Sequence, residues 1–337
     1  MKKAILLLLA VALMAGLWTG CASQSSAPSS QPAPDSKSAA TASSEPASSA
    51  AESQAPAQSE PAAEADPVYQ LAYDYFKNFP SDRNVISSAD LFALMDKGED
   101  IFILDIRRPD DYKTSHLKGA VNLAFFNTEI SDNLDKIPDD KPVMVYCYTG
   151  QTASQVTALL NVAGKMAKNV QSGFNNGISA TKGYEKYLET EVNPLPDGDY
   201  PVDPAVQKAL SDYFTEKQAQ DGTAFANFNL KPEDVKQIID DQNDDYYILS
   251  IRSAEDYAKG HIPTAAHIPY GLGMQEELVK LPKDKKIVVY CYSGQTSSQT
   301  TAILRLLGYD AYSMSGGMGN AEKGTGWLGA GYETVTD

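Results

Sequence analysis

The octapeptide CYTGQTAS at 147–154 returns as CYSGQTSS at 291–298, and each copy is entered from an apolar run of strand length, Val143-Met144-Val145-Tyr146 or Ile287-Val288-Val289-Tyr290. The surroundings repeat too, and this constrains the fold more than any other feature of the chain. The stretch from Asp66-Pro67 to Phe76 is echoed from Asp203-Pro204 to Phe214, each with an Asp cap, Pro at the first helical position and an aromatic end. Capped amphipathic segments recur at 88–95 and 230–239, and short apolar strands at 101–104 and 246–249. After each cysteine loop the period turns helical, through Val156, Leu159, Leu160 and Ala163 or Ile303, Leu304 and Leu307, and Gly164 or Gly308 closes the helix. Strands apolar on both faces, alternating with amphipathic helices, predict an α/β fold of two domains, each a mostly parallel central sheet flanked by helices. The duplication places the domains at 66–198 and 199–337.

What precedes them reads differently. Met1-Lys2-Lys3 followed by an apolar run at 4–17 has the parts of an export signal, and Trp18-Thr19-Gly20-Cys21 resembles the lipobox at which a bacterial lipoprotein is acylated and cleaved. The usual aliphatic residue three positions before the cysteine is Trp18 here. Residues 1–21 are therefore expected to be a lipoprotein signal with Cys21 as the lipidation site. Residues 22–65, almost wholly Ser, Ala, Pro, Gln, Glu and Asp, cannot bury enough apolar surface to offset their ordering entropy and are expected to be a disordered tether. The expected location is outside the cytoplasmic membrane, anchored by lipid to its outer face or periplasmic. A formal charge of −16 argues against nucleic acid and against an anionic membrane surface as a partner, so the lipid would be the only membrane contact. A protein partner is not legible.

Of three cysteines, two remain for chemistry, which rules out a disulfide framework. A cysteine at the end of a buried strand, before a Gly-containing loop and a helix, sits where backbone N–H groups and the helix dipole converge. Both favour thiolate over thiol, so such a sulfur is expected to be nucleophilic. Gly150 and Gly294 let the loop turn tightly around it. A strand-end cysteine can also be merely a small hydrophobe, but two copies of Cys-Tyr-Thr/Ser-Gly-Gln-Thr weigh against that. Three histidines and three cysteines show no metal-ligand spacing, so neither a metal nor another cofactor is expected.

DIRRPDDYKTSHLKGAVN at 105–122 and SIRSAEDYAKGHIPTAAH at 250–267 both resemble the rhodanese homology pattern D-x-R-x-x-x-E-Y-x-x-G-H-I-x-G-A-x-N. The resemblance implies that Cys147 and Cys291 are catalytic cysteines that take up sulfane sulfur as a persulfide and pass it to a thiophilic acceptor. It implies that Tyr148, Thr149, Gly150, Gln151 and Thr152, and Tyr292, Ser293, Gly294, Gln295 and Thr296, complete the substrate-binding loops. No arginine occurs in either loop, which disfavours phosphate-ester chemistry and efficient use of thiosulfate, since a dianion would be held by amides alone.

His116 and His261 belong to a structural turn of that pattern and are not read as general bases; His267, opposite Asn122, is read as incidental. Arg107 and Arg252 are expected to pair with the acidic Asp110/Asp111 and Glu255/Asp256 clusters, or else to receive an anionic donor. Asp105 has become Ser250 in the second copy. The first copy has QSGFNNG at 171–177 where the second has the more typical MSGGM at 314–318, and on that ground Cys291 ranks above Cys147. The expected function is a sulfurtransferase or sulfane-sulfur carrier with a small sulfur donor, thiosulfate or polysulfide, and a thiol acceptor. The rival is a non-catalytic rhodanese-like binding module on the cell surface.

Overall fold

In a computed structural model that describes residues 66–336, the chain folds as two copies of one topology. The signal segment, Cys21 and the tether lie outside the described residues. The first copy comprises α1 (Pro67–Lys77), β1 (Val85–Ile86), α2 (Ser88–Lys97), β2 (Phe102–Asp105), α3 (Pro109–Thr114), β3 (His116–Leu117), β4 (Ala120–Asn122), α4 (Glu129–Asp132), β5 (Pro142–Tyr146), α5 (Gln151–Val162), β6 (Met166–Val170) and β7 (Leu188–Glu189). The second comprises α6 (Pro204–Ala219), β8 (Asn229–Leu230), α7 (Pro232–Asp240), β9 (Tyr246–Ser250), α8 (Ala254–Lys259), β10 (Ala266–His267), α9 (Gln275–Leu278), β11 (Lys286–Tyr290), α10 (Gln295–Leu306), β12 (Ala311–Met314) and α11 (Gly326–Gly329).

The two main sheets run β1-β6-β5-β2-β4 and, in the same spatial order, β8-β12-β11-β9-β10. Every neighbour pair in them is parallel. β3 and β7 form a separate antiparallel ribbon. The central strands β5 and β11 are buried from their second residue onward and end immediately before Cys147 and Cys291. This places both cysteines at carboxyl ends of parallel strands, where open α/β sheets carry their sites.

The local signals act as the sequence implies. Asp66 accepts from the N–H of Val68 at 2.9 Å and Asp203 from that of Ala205 at 2.8 Å, capping α1 and α6. Gly164 and Gly308 stand at φ +80°, one residue past the C-caps of α5 and α10.

Helix partnership is less local. α1, from the first repeat, lies against the second: Phe76 and Phe79 meet the ring of Tyr270 edge-on, with centroids 5.7 and 5.2 Å away, and Tyr75 donates to Gln299 at 2.8 Å. α6, from the second repeat, lies against the first. Its Phe214 meets Phe125 at 5.9 Å, Tyr213 donates to Gln155 at 2.9 Å, and buried Lys217 donates to the carbonyl oxygen of Phe125. Each opening helix thus bridges the two repeats, since Tyr213 of α6 also packs on Phe228 of its own repeat at 5.0 Å, and one hydrophobic cluster runs through both sheets. Because of that bridging, Phe214→Ala should cost about 3–5 kcal/mol, the usual range for truncating a fully buried aromatic, and lower the stability of the first sheet as well as the second. Urea unfolding followed by circular dichroism and by tyrosine fluorescence should give one coincident transition; two separated transitions would refute a shared core.

Candidate active site

Each cysteine sulfur is buried beneath the N-terminus of a twelve-residue helix. The N–H of Gly150 donates to Sγ of Cys147 at 3.1 Å and that of Ala153 at 3.4 Å. At Cys291 the N–H of Gly294 donates at 3.1 Å, and the second donor is the hydroxyl of Ser297, at 3.4 Å. Gly150 and Gly294 turn these loops at φ +87° and +84°. Both thiols are free, so no disulfide joins them. Ser297 was not singled out in the sequence, although its exchange for Ala153 is visible when the octapeptides are aligned.

A tail segment braces each loop from below. The N–H of Phe174 donates to the carbonyl oxygen of Cys147, and that of Met318 to Cys291, both at 2.7 Å. The preceding residues, Gly173 and Gly317, both take φ +59°, and a Cβ on either would fall 2.5 Å from that same carbonyl oxygen. Close backbone approach therefore requires glycine at both. The tail difference on which Cys291 ranks above Cys147 is therefore smaller in the fold than in the sequence. The critical glycine is present in both tails, and Ser172 occupies the place of Gly316 with a left-handed backbone of its own, φ +61°.

Tyr148 and Tyr292 turn away from sulfur. Tyr148 donates to Asp111 and Tyr292 to Asp256 at 2.6 Å, while each phenol oxygen accepts an N–H from the start of the neighbouring helix, Arg108 or Ser253. Burial and the bond to Asp111 push the Tyr148 phenol up. The bond from Tyr292, with Lys259 and Ser253, holds the Asp256 carboxyl down at about 2, so that brace fails only in strong acid. The acidic clusters therefore hold the loop tyrosines and do not pair with the arginines.

Arg107 instead pairs with Asp105, Nη2 to Oδ2 at 2.7 Å and Nε to both oxygens at 3.1 Å, in a buried fork. Burial opposes its charge, and the bonds to Asp105 outweigh that and raise its pKa. Arg252 has only Ser250 in that place. The histidines are structural: His116 and His261 stack on Tyr112 and Tyr257, with Nδ1 against the same tyrosine's carbonyl oxygen at 2.7 and 3.1 Å. His267 is not incidental, because its Nε2 meets the carbonyl oxygen of Arg252 at 2.8 Å, the bond that Asn122 makes to Arg107.

Gln151 and Gln295 also depart from expectation. Gln295 reaches into the first repeat, where its Oε1 accepts from the N–H of Ser172 at 2.9 Å and from Asn169 at 3.0 Å. Gln151 reaches into the second and accepts from the N–H of Gly316 at 3.2 Å. Each glutamine thus steadies the tail beneath the other repeat's cysteine. Thr149, Ser293, Thr152 and Thr296 complete the loops, and Ser293 accepts from Gln295 at 3.1 Å.

A family model described as rhodanese-like domain matches residues 87–188 and 231–322. A thiosulfate sulfurtransferase, GlpE of Coxiella burnetii, is 30% identical over 102 residues, covering 30% of this chain and 84% of that protein. A tRNA sulfurtransferase of Desulfurococcus amylolyticus is 32% identical over 101 residues, covering 29% of this chain but only 20% of its own length. Among solved structures, SseA from Escherichia coli, described among 3-mercaptopyruvate sulfotransferases, covers 70% of this chain and 99% of its own at 19% identity and a TM-score of 0.31.

The crossed glutamines make a specific expectation. Gln295→Ala should speed iodoacetamide alkylation of Cys147 several-fold more than that of Cys291, and Gln151→Ala should do the reverse, as read by peptide mass spectrometry. Equal effects on both thiols, or an effect confined to the variant's own loop, would contradict the cross-brace.

Proposed function

The chain belongs to the rhodanese-like domain family through both of its repeats, and from that premise we propose that it is a sulfurtransferase or sulfane-sulfur carrier that works through persulfides on Cys291 and Cys147. The observation that carries the reading is the pair of hydrogen-bond donors on each sulfur at the end of a central strand. Donors fixed in advance around a sulfur that bears negative charge need no reorganisation when that charge develops. In the proposed reaction the thiolate attacks the terminal sulfur of a polysulfide or thiosulfate. The donor's S–S bond breaks, its electron pair leaves with the shortened polysulfide or with sulfite, and Cys–S–S⁻ remains. An acceptor thiolate then attacks the outer sulfur, leaves as its own persulfide and returns the cysteine thiolate.

Neither loop carries a cation, which favours polysulfide or another persulfide over the dianion thiosulfate. We further propose that the chain is exported and held at the outer face of the cytoplasmic membrane by lipid on Cys21.

Mass spectrometry of the reduced chain after polysulfide should find one added sulfur atom on each of Cys147 and Cys291, removable by cyanide, with less or none after thiosulfate. Cys147→Ser and Cys291→Ser should each lose one site and keep the other. No labile sulfur from either donor would favour the binding-module reading. For location, Cys21→Ala should move the chain from the membrane fraction to the soluble one; an unchanged distribution would exclude the lipid anchor.

A further inference from the structure

The side-chain amide of Gln295 is bonded to both repeats at once. Its Nε2 donates to Oγ of Ser293 within its own cysteine loop at 3.1 Å, while Oε1 accepts from the N–H of Ser172 and from Asn169 in the other repeat. Ser172 leads into Gly173 and Phe174, and the N–H of Phe174 holds the carbonyl oxygen of Cys147. Gln151 makes the opposite crossing, with Oε1 on the N–H of Gly316, the residue before the glycine that packs under Cys291.

The two glutamines also fill the space behind the loops. A Cβ on Gly150 would fall 2.5 Å from Oε1 of Gln295, and one on Gly294 would collide with Nε2 of Gln151. These are the glycines whose N–H groups donate to the two sulfurs, and each is followed directly in the chain by the glutamine that backs the other. An unbroken path therefore runs from Cys147 through Gly150, Gln295 and Gly294 to Cys291, and every step of it is a hydrogen bond, a packed contact or a peptide bond. Both cysteines are 2% exposed, so an atom added to either sulfur must displace atoms of its own loop, and a close-packed interior transmits such a shift.

We propose that the two cysteines are negatively coupled: a sulfur adduct on one slows formation of an adduct on the other, and Gln151 and Gln295 are the positioning residues that carry the effect. The sign follows from the shared wall. A loop that yields to an added atom presses on the glutamine behind its glycine. That glutamine opens the helix of the other repeat, next to the other sulfur's glycine, so the second loop loses the slack it needs to yield in turn. The equilibrium effect is necessarily equal in both directions. With persulfide as the adduct, which rests on the function proposed above, the chain carries one labile sulfur at limiting donor and a second only at excess.

The test uses methyl methanethiosulfonate on the whole reduced chain carrying Cys21→Ala, in which two thiols remain. Each thiolate attacks the methyl-bearing sulfur of the reagent, the S–S bond breaks with its electron pair leaving as methanesulfinate, and Cys–S–S–CH3 forms, whose first added atom is that of a persulfide. Adding Cys147→Ser or Cys291→Ser gives the rate of each thiol alone. In the two-cysteine chain, intact-mass spectrometry should find the second adduct forming about ten-fold more slowly than the remaining thiol reacts alone, within the usual span of coupling between sites, so that chains with one adduct accumulate. Gln151→Ala together with Gln295→Ala should restore independent rates, judged against single-cysteine chains in the same background. A second adduct at the independent rate, or a faster one, in the chain with both glutamines intact would overturn the proposal, and that comparison needs no change in the brace. Slowing that survives the double substitution would overturn the role of the glutamines, and cysteines that take no adduct would overturn this proposal and the sulfur-transfer reading together. Adducts from the reagent but none from polysulfide would strike the sulfur-transfer reading and leave the measured coupling standing.

Discussion

The contact on which the rest of the structure depends is that of α5 against α10, the helices that follow the two cysteine loops. Both are buried along most of their length although they are rich in Ser, Thr and Gln. Buried polar groups of this kind are stable only where they are paired, and here much of the pairing crosses from one repeat to the other. Gln155 accepts from Tyr213 and donates to the carbonyl oxygen of Asn227; Gln299 accepts from Tyr75 and Tyr270 and donates to the carbonyl oxygen of Arg83. Gln151 and Gln295, one turn earlier, cross in the same way to the tails. An approximate two-fold relation between the repeats makes three of these bonds occur twice, Tyr213 and Tyr75 to a glutamine, glutamine to Asn227 or Arg83, and a tail N–H to Gln295 or Gln151, while those of Tyr270 and Asn169 occur once. The opening helices α1 and α6 supply Tyr75 and Tyr213, and through them each reaches the glutamine on the other repeat's helix, whereas Tyr270 bonds within its own repeat.

This arrangement changes what the repeated octapeptide means. Read in sequence, two copies of Cys-Tyr-Thr/Ser-Gly-Gln-Thr speak for a retained chemical site. In the fold, the first glutamine of each copy serves the neighbouring tail, and the tyrosine anchors its loop to an acidic side chain. What faces the sulfur is the glycine amide with that of Ala153 in the first copy, and the glycine amide with the hydroxyl of Ser297 in the second. Selection for a matched interface and selection for a matched site act on the same residues, so their similarity alone does not separate the two. The sulfur-directed donors do.

Much of the fold was legible because it is written in local chemistry: Asp-Pro caps, apolar strand runs, left-handed glycines past helix ends, and cysteines at strand termini. The bridging of the repeats by α1 and α6 was not, since a cap and an amphipathic face state that a helix exists and which side is buried, but not against which sheet. The arginines were misassigned for a related reason. Asp110, Asp111, Glu255 and Asp256 are near Arg107 and Arg252 in sequence, yet the buried fork goes to Asp105, two residues away on the same strand end, where alternation and the turn bring both side chains together. His267 looked incidental because Asn122 differs from it in size and charge, although both satisfy the same backbone carbonyl.

The two sites are therefore less unequal than their tails imply, and what difference there is lies above the sulfur. Cys147 receives two main-chain N–H groups, whose directions are fixed by α5. Cys291 receives one such group and the hydroxyl of Ser297, which also stands 2.8 Å from the hydroxyl of Ser313. A hydroxyl can rotate between donors and acceptors where an amide cannot. The second cradle can thus change its bonding to Cys291, while the first keeps one fixed pattern around Cys147. Together with a buried arginine that lacks the carboxylate held by its counterpart, this leaves the second repeat with fewer fixed polar contacts around its cysteine loop than the first.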